Sequence, residues 1–149
     1  MRNILLLSFL SVFGLHTAFS AVGEVWMTDF EAAQAKAAAE QKPMLLDFTG
    51  SDWCGWCIKL DKEVFSQEAF QSYAAEALVL VELDFPRSKD QSAELKAQNK
   101  ALAEKYGIRG FPTILILSPE GELIEKTGYR RGGAESYVEH IMSILASAG

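Results

Sequence analysis

Met44-Leu45-Leu46-Asp47-Phe48-Thr49 leads through Gly50-Ser51-Asp52 into Trp53-Cys54-Gly55-Trp56-Cys57, and the chain runs on from there to Val64. The first six residues follow Pro43 and form a short apolar run, suited to a strand buried on both faces. From Cys54 onward the pattern changes: Cys57, Leu60 and Val64 fall at helical spacing, which predicts a helix over 54–64 with that side packed on a sheet. A strand therefore hands the chain to two cysteines at the start of a helix. Unpaired N–H groups and the positive end of the helix dipole favour thiolate over thiol there, so Cys54 is the candidate nucleophile, at the exposed helix terminus. Cys57 lies three residues on, on the same side of the first turn, where the two sulfurs can close into a disulfide. It is the candidate resolving thiol, deeper and less reactive.

These are the only two cysteines in the 149 residues. A pair so close closes a tiny loop, and on the chain-entropy argument a short loop adds little stability, so chemistry explains the pair better than stapling. Zinc is the competing use of a cysteine pair, but a closed tetrahedral site takes about four ligands. No second cysteine pair exists, and beyond the first twenty residues His140 is the only histidine. Neither a metal nor a cofactor is expected.

The N-terminus has the grammar of a secretory signal: Met1-Arg2-Asn3 is a positive start, Ile4 to Leu15 an apolar run, and Ala18-Phe19-Ser20 a small-residue end. The apolar run is shorter than the roughly 20 residues that span a bilayer. The expectation is a signal peptide over 1–20, cleavage after Ser20, and a domain over 21–149 that is periplasmic or secreted, with no membrane anchor once cleaved. No cysteine near the cleavage point offers a thiol for a lipid. Disulfides form and persist in such compartments.

Outward from the cysteines, Thr28-Asp29-Phe30-Glu31 has capping-box spacing ahead of an Ala-rich helix to Gln41. Ser66 reads as the N-cap of a short helix through Glu76, and Leu78 to Leu83 as a second buried strand ending at Asp84. Residues 91–106 place Leu95, Leu102 and Tyr106 on one helical face, with Gly107 ending the helix. Ile114–Leu117 and Leu123–Thr127 flank Pro119-Glu120-Gly121-Glu122 and predict an antiparallel hairpin. A last helix follows, with Val138, Ile141 and Leu145 as its inward stripe, widened by Tyr137, Ile144 and Ala148. This order implies an α/β fold: a mixed sheet of four to five strands with helices on both faces. The length fits one domain. A net charge of −6 and a pI near 4.9 exclude a polyphosphate partner such as nucleic acid, and Arg130-Arg131, the only basic doublet, reads as a solvated turn.

Trp-Cys-x-x-Cys after a buried strand, followed by Phe111-Pro112-Thr113 entering another, resembles the thioredoxin superfamily over nearly all of the chain past residue 20. The likeness is to the C-terminal thioredoxin-like domain of periplasmic thiol-disulfide interchange reductases, through Leu45-Leu46-Asp47-Phe48, Cys54 to Cys57, Gly110 to Leu115 and Thr127-Gly128-Tyr129. Full-length members of that group carry membrane segments, so this chain is expected to be a free-standing exported relative.

The resemblance implies a thioredoxin fold and disulfide exchange with exported proteins through a redox-active Cys54–Cys57 pair, as a reductase served by a redox partner protein. It places Pro112 at the cis-proline that packs on the disulfide, with Phe111 and Pro112 contacting substrate; a proline at the mouth of a strand is the other reading. Asp47 falls where the family has a buried acid that moves protons to and from the resolving cysteine. Burial in an apolar strand raises a carboxyl pKa and suits it to that task. Two departures stand against this: the 49–52 loop is one residue longer than in ordinary thioredoxin, and Leu80 stands where thioredoxin has a lysine partner for the acid. An ordinary hydrogen-bonded aspartate is the competing reading.

Trp53 and Trp56 put two large rings around the thiols, and exposed aromatics anchor protein contacts, so a polypeptide substrate is expected. Packing under the loop is the alternative for Trp53. A redox-inert binding or chaperone-like module using the same surface is the alternative function. A peroxide-reducing enzyme is disfavoured, because no Thr and Arg cluster surrounds Cys54.

Overall fold

The computed structural model describes residues 26–149; the expected signal peptide lies outside them. The elements, in chain order, are α1 (Phe30–Glu40), β1 (Met44–Thr49), α2 (Gly55–Leu60) continued by a π-helical turn (Asp61–Phe65), α3 (Glu68–Ala77), β2 (Val79–Asp84), α4 (Ala93–Lys105), β3 (Thr113–Leu117), β4 (Leu123–Thr127) and α5 (Gly133–Ala148). The strands form one sheet in the order β2-β1-β3-β4. β1 runs parallel to β2 and antiparallel to β3, and β3 and β4 form the expected hairpin. Met27 adds an isolated bridge to Val81 at the β2 edge.

Every residue of β1 is buried, as a central strand covered on both faces requires. Its side chains alternate between two cores. Met44, Leu46 and Phe48 pack with Ala33 and Ala37 of α1 and Leu102 of α4. Leu45 packs on the other face with Leu60, Val64, Phe65, Phe70, Tyr137 and Ile141, which come from α2, the π-helical turn, α3 and α5. Asp47 is two residues from Leu45 and so points to that second face, beneath α2.

Several local expectations are corrected. The cap of α1 is Asp29, whose carboxylate accepts from the Ala32 N–H at 3.0 Å, so the helix starts one residue later than a Thr28 cap would place it. Gln67 precedes α3 without a side-chain cap, and Ser66 instead donates its hydroxyl to Asp61 at 3.1 Å. Leu78 ends α3 rather than opening β2. Asn99 shares the buried side of α4 with Leu102, and its amide donates to the Asp84 carbonyl at 2.9 Å. The buried stripe of α5 is Ala134, Tyr137, Ile141 and Ile144, with Val138 and Leu145 only partly buried and Ala148 exposed. Gly107 does end α4, at φ 61°, where a residue with a side chain is disfavoured.

Candidate active site

β1 ends beneath a turn that depends on the absence of a side chain at Gly50. A Cβ there would sit 2.5 Å from the Trp53 indole, and the Gly50 carbonyl accepts from the N–H groups of Trp53 and Cys54 at 3.2 and 2.8 Å. The turn is tied to the connection after β2 at three points. Ser51 donates its N–H to Asp84 at 2.9 Å and accepts from Lys89 Nζ at 3.0 Å. The Asp52 carboxylate gathers three consecutive backbone N–H groups, those of Arg87 at 3.0 Å, Ser88 at 2.6 Å and Lys89 at 3.1 Å. Those donors, Arg87's first, hold the Asp52 carboxyl below the usual range. Trp53 donates its indole N–H to the Phe85 carbonyl at 2.8 Å.

Cys54 is the N-cap of α2 and is disulfide-bonded to Cys57, with the Cα atoms 5.2 Å apart. The Cys57 N–H donates to Cys54 Sγ at 3.2 Å, so the Cys54 sulfur occupies the capping position and meets a free donor of the helix terminus. Both residues are nearly buried, Cys54 at 6% and Cys57 at 4% exposure. The expected contrast in exposure is thus small, and the capping hydrogen bond is what distinguishes the two sulfurs.

Asp47 and Cys57 line one cavity of about 300 Å³, together with Asp61, Glu82 and Lys89. Asp47 is 9% exposed, and its Oδ1 has no hydrogen-bond partner among the described residues. Burial first, then the carboxylates of Glu82, Asp61 and Asp84, push its pKa well above the ordinary carboxyl value. Leu80 packs in the core opposite Leu45, whereas Glu82 is Asp47's register partner on β2. Partial burial, then Asp84, raises the Glu82 pKa as well, against the pull of Lys89. The cation on this cavity is therefore Lys89, from the connection after β2 and not from the strand.

The Phe111–Pro112 peptide bond is cis and leads directly into β3. Gly128 lies so close that a Cβ on it would stand 3.2 Å from the Pro112 carbonyl oxygen. Phe111 contacts Trp53 edge-on, with ring centroids 5.8 Å apart, and lies 5.1 Å from the Phe85 ring. On the other flank Trp56 is 54% exposed, its ring 5.1 Å from that of Tyr129. Lys59 stands over both of these rings, and Tyr129 donates its hydroxyl to Glu63 at 2.6 Å.

The structure thus gathers Asp47, Trp53, Cys54, Trp56, Cys57, Phe111 and Pro112 around one end of the sheet. The sequence reading did not single out Asp52, Glu82, Phe85 or Arg87 for the site. Only Asp52 carried a signal, as part of the lengthened loop.

A mixed sheet flanked by helices, with a Cys-x-x-Cys disulfide at the head of a sheet-packed helix and a cis-proline entering a neighbouring strand, defines the thioredoxin fold of thiol-disulfide oxidoreductases. The family described as thioredoxin-like domain matches residues 30–136, and the chain belongs to it. It is 35% identical over 120 residues to the disulfide bond reductase DsbH of Chlamydia pneumoniae, covering 80% of this chain and 72% of DsbH. A solved structure of the DsbH oxidoreductase matches with a TM-score of 0.80 at 31% identity, covering 93% of this chain and 95% of that one. Similarity to the thiol:disulfide interchange protein DsbD of Yersinia enterocolitica is 30% over 132 residues, covering 87% of this chain but 20% of DsbD. Among the described residues no helix is long and apolar enough to cross a membrane.

Proposed function

We propose that the chain reduces disulfides in exported polypeptides, with Cys54 as the attacking thiolate and Cys57 as the resolving thiol. The observation that carries this reading is the Cys54 sulfur at the N-cap of α2, accepting the Cys57 N–H at 3.2 Å. The same position stabilises a thiolate when the bond is open, which makes Cys54 both the better nucleophile and the better leaving group.

In the reductive direction the Cys54 thiolate attacks one sulfur of a client disulfide, forming a mixed disulfide and releasing one client thiolate. Cys57 loses its proton to the Asp47 carboxylate across their shared cavity, then attacks the Cys54 sulfur. The second client thiolate leaves and the Cys54–Cys57 disulfide closes. Two electrons pass to the client, and a partner dithiol must return them. Trp56, Trp53 and the Phe111–Pro112 edge supply the apolar contact surface for the client. The name of DsbH supports the reductive direction, and the apolar run over Ile4–Leu15 after a positive start supports export.

The test is a pair of single variants. Cys57→Ser is expected to accumulate covalent client complexes on non-reducing gels of the exported fraction, whereas Cys54→Ser traps few. The wild type is expected to reduce insulin in the presence of a dithiol. No insulin reduction together with equally poor trapping by both variants would replace exchange catalysis with the binding-module reading. Wild-type chain retained in the cytoplasmic fraction would overturn export alone.

A further inference from the structure

We propose that Arg87, stacked on Trp53, is a recognition element for client segments that carry a carboxylate next to the reacting cysteine. The proposal rests on the disulfide-exchange reading and extends it to the class of client. The Arg87 guanidinium lies 3.8 Å from the centroid of the Trp53 ring. That stacking occupies the face of the group, while the five N–H donors of a guanidinium lie along its edge. Among the described residues its side chain makes no hydrogen bond and no ion pair, and the residue is exposed.

Arg87 is also held in place. Asp52 takes its backbone N–H at 3.0 Å, and Phe85, two residues back, accepts the Trp53 indole N–H at 2.8 Å. Trp53 in turn is the residue before Cys54 and meets Phe111 edge-on, one residue before Pro112. Arg87, Trp53, Phe111 and Pro112 therefore form one continuous edge beside the disulfide. A guanidinium that is already stacked and backbone-anchored loses less freedom on pairing, and its fork matches a carboxylate bidentately.

Two neighbouring cations are already engaged. Lys59 on the Trp56 flank pairs with Glu63 at 3.6 Å, and Lys89 donates to Ser51 at 3.0 Å. Arg87 lies on this edge of a chain whose net charge is −6, and among the described residues its guanidinium pairs with no carboxylate. An acidic molecule places such a group at its active edge against its own long-range field, so the preference works at contact range. Exposed pairing of this kind is expected to be weakened by salt.

The experiment uses the full chain and two disulfide-linked peptides, identical except for Glu or Lys flanking the cysteine. The readout is the ratio of kcat/KM for the two peptides, in which any uniform loss of activity cancels. The wild type is expected to prefer the Glu peptide by about three- to fivefold at low salt, the upper part of the range of an exposed ion pair, and less at high salt. Arg87→Glu is expected to invert the preference, and Arg87→Lys to keep only part of it, since a lysine cannot form the bidentate fork.

A ratio unchanged by Arg87→Glu overturns the proposal. So does a shifted pH midpoint for Cys54 alkylation in that variant with both peptides slowed equally, because Arg87 would then be serving the thiolate. If the wild type turns over neither peptide, the exchange reading fails. In that case quenching of Trp53 by a cysteine-free acidic peptide, compared between wild type and Arg87→Glu, still decides whether Arg87 binds carboxylates.

Discussion

Cys54 and Cys57 are almost equally covered, so the difference in reactivity proposed for them has to come from bonding. In the disulfide form Cys54 Sγ takes the Cys57 N–H at the positive end of α2, whereas Cys57 lines a cavity with three carboxyl groups, Asp47, Asp61 and Glu82, against the single ammonium of Lys89. The first environment favours negative charge and the second opposes it. Cys54 is expected to alkylate with a midpoint below the ordinary thiol pKa of about 8.5, and Cys57 with one above it. Mass spectrometry of iodoacetamide labelling against pH reads both residues at once. Coincident midpoints would remove the assigned roles. The pair itself was legible from spacing alone, because two cysteines at a strand-to-helix junction leave few other uses. Their near-equal burial was not, since what covers a helix N-terminus arrives from segments distant in sequence. Trp53 shows the same limit: its competing readings turn on a carbonyl 32 residues away, at Phe85.

At the scale of elements, the periodic segments were all recognisable, and the misses lie at their ends and in which side of a helix is buried. Thr28 and Asp29 are adjacent cap formers, and one residue of helix start decides between them. Ser66 carries a capping side chain, but the π-helical turn before it brings Asp61 within reach and takes its hydroxyl. On α5 the buried stripe is rotated from the expected one because Tyr137 reaches over the sheet edge to donate to the Gly128 carbonyl at 3.0 Å, a contact that no periodicity encodes. The connection after β2 is the element on which the active-site rim depends, and Asp52 organises it through three main-chain donors. Asp52→Ala is therefore expected to speed hydrogen exchange at Arg87, Ser88 and Lys89 roughly tenfold, about what one ordinary hydrogen bond protects. Because Asp52 has a lowered pKa, its hold is present at neutral pH and is lost on acidification below the unfolded value of about 3.9. Wild-type exchange at these three amides that stays slow in the variant would place the loop's order elsewhere.

Across the whole molecule, the two cores were foreseeable from β1, whose largely apolar run demands cover on both faces. The exception inside that run is Asp47, and it makes stability depend on pH in a definite direction. Its pKa in the folded state lies above the unfolded value of about 3.9, through burial and the carboxylates of Glu82, Asp61 and Asp84. The folded chain therefore holds this proton more tightly than the unfolded chain. The resulting stability is fully present below about pH 3.9 and is lost as pH rises through the folded-state pKa. Asp47→Asn keeps the shape of the side chain and removes the ionisation. The variant is expected to melt higher than wild type at pH 8, by about 3 °C or more, roughly the effect of one kcal/mol in a domain of this size. The difference should close as pH falls toward 3.5, where both side chains are neutral. Paired melting curves at the two pH values, with the Cys54–Cys57 disulfide intact throughout, measure it directly. A variant that melts lower than wild type at pH 8 would mean that the Asp47 carboxylate is stabilised in the fold, by Lys89 across the cavity, and would remove the raised pKa on which its proposed role as the proton acceptor for Cys57 depends.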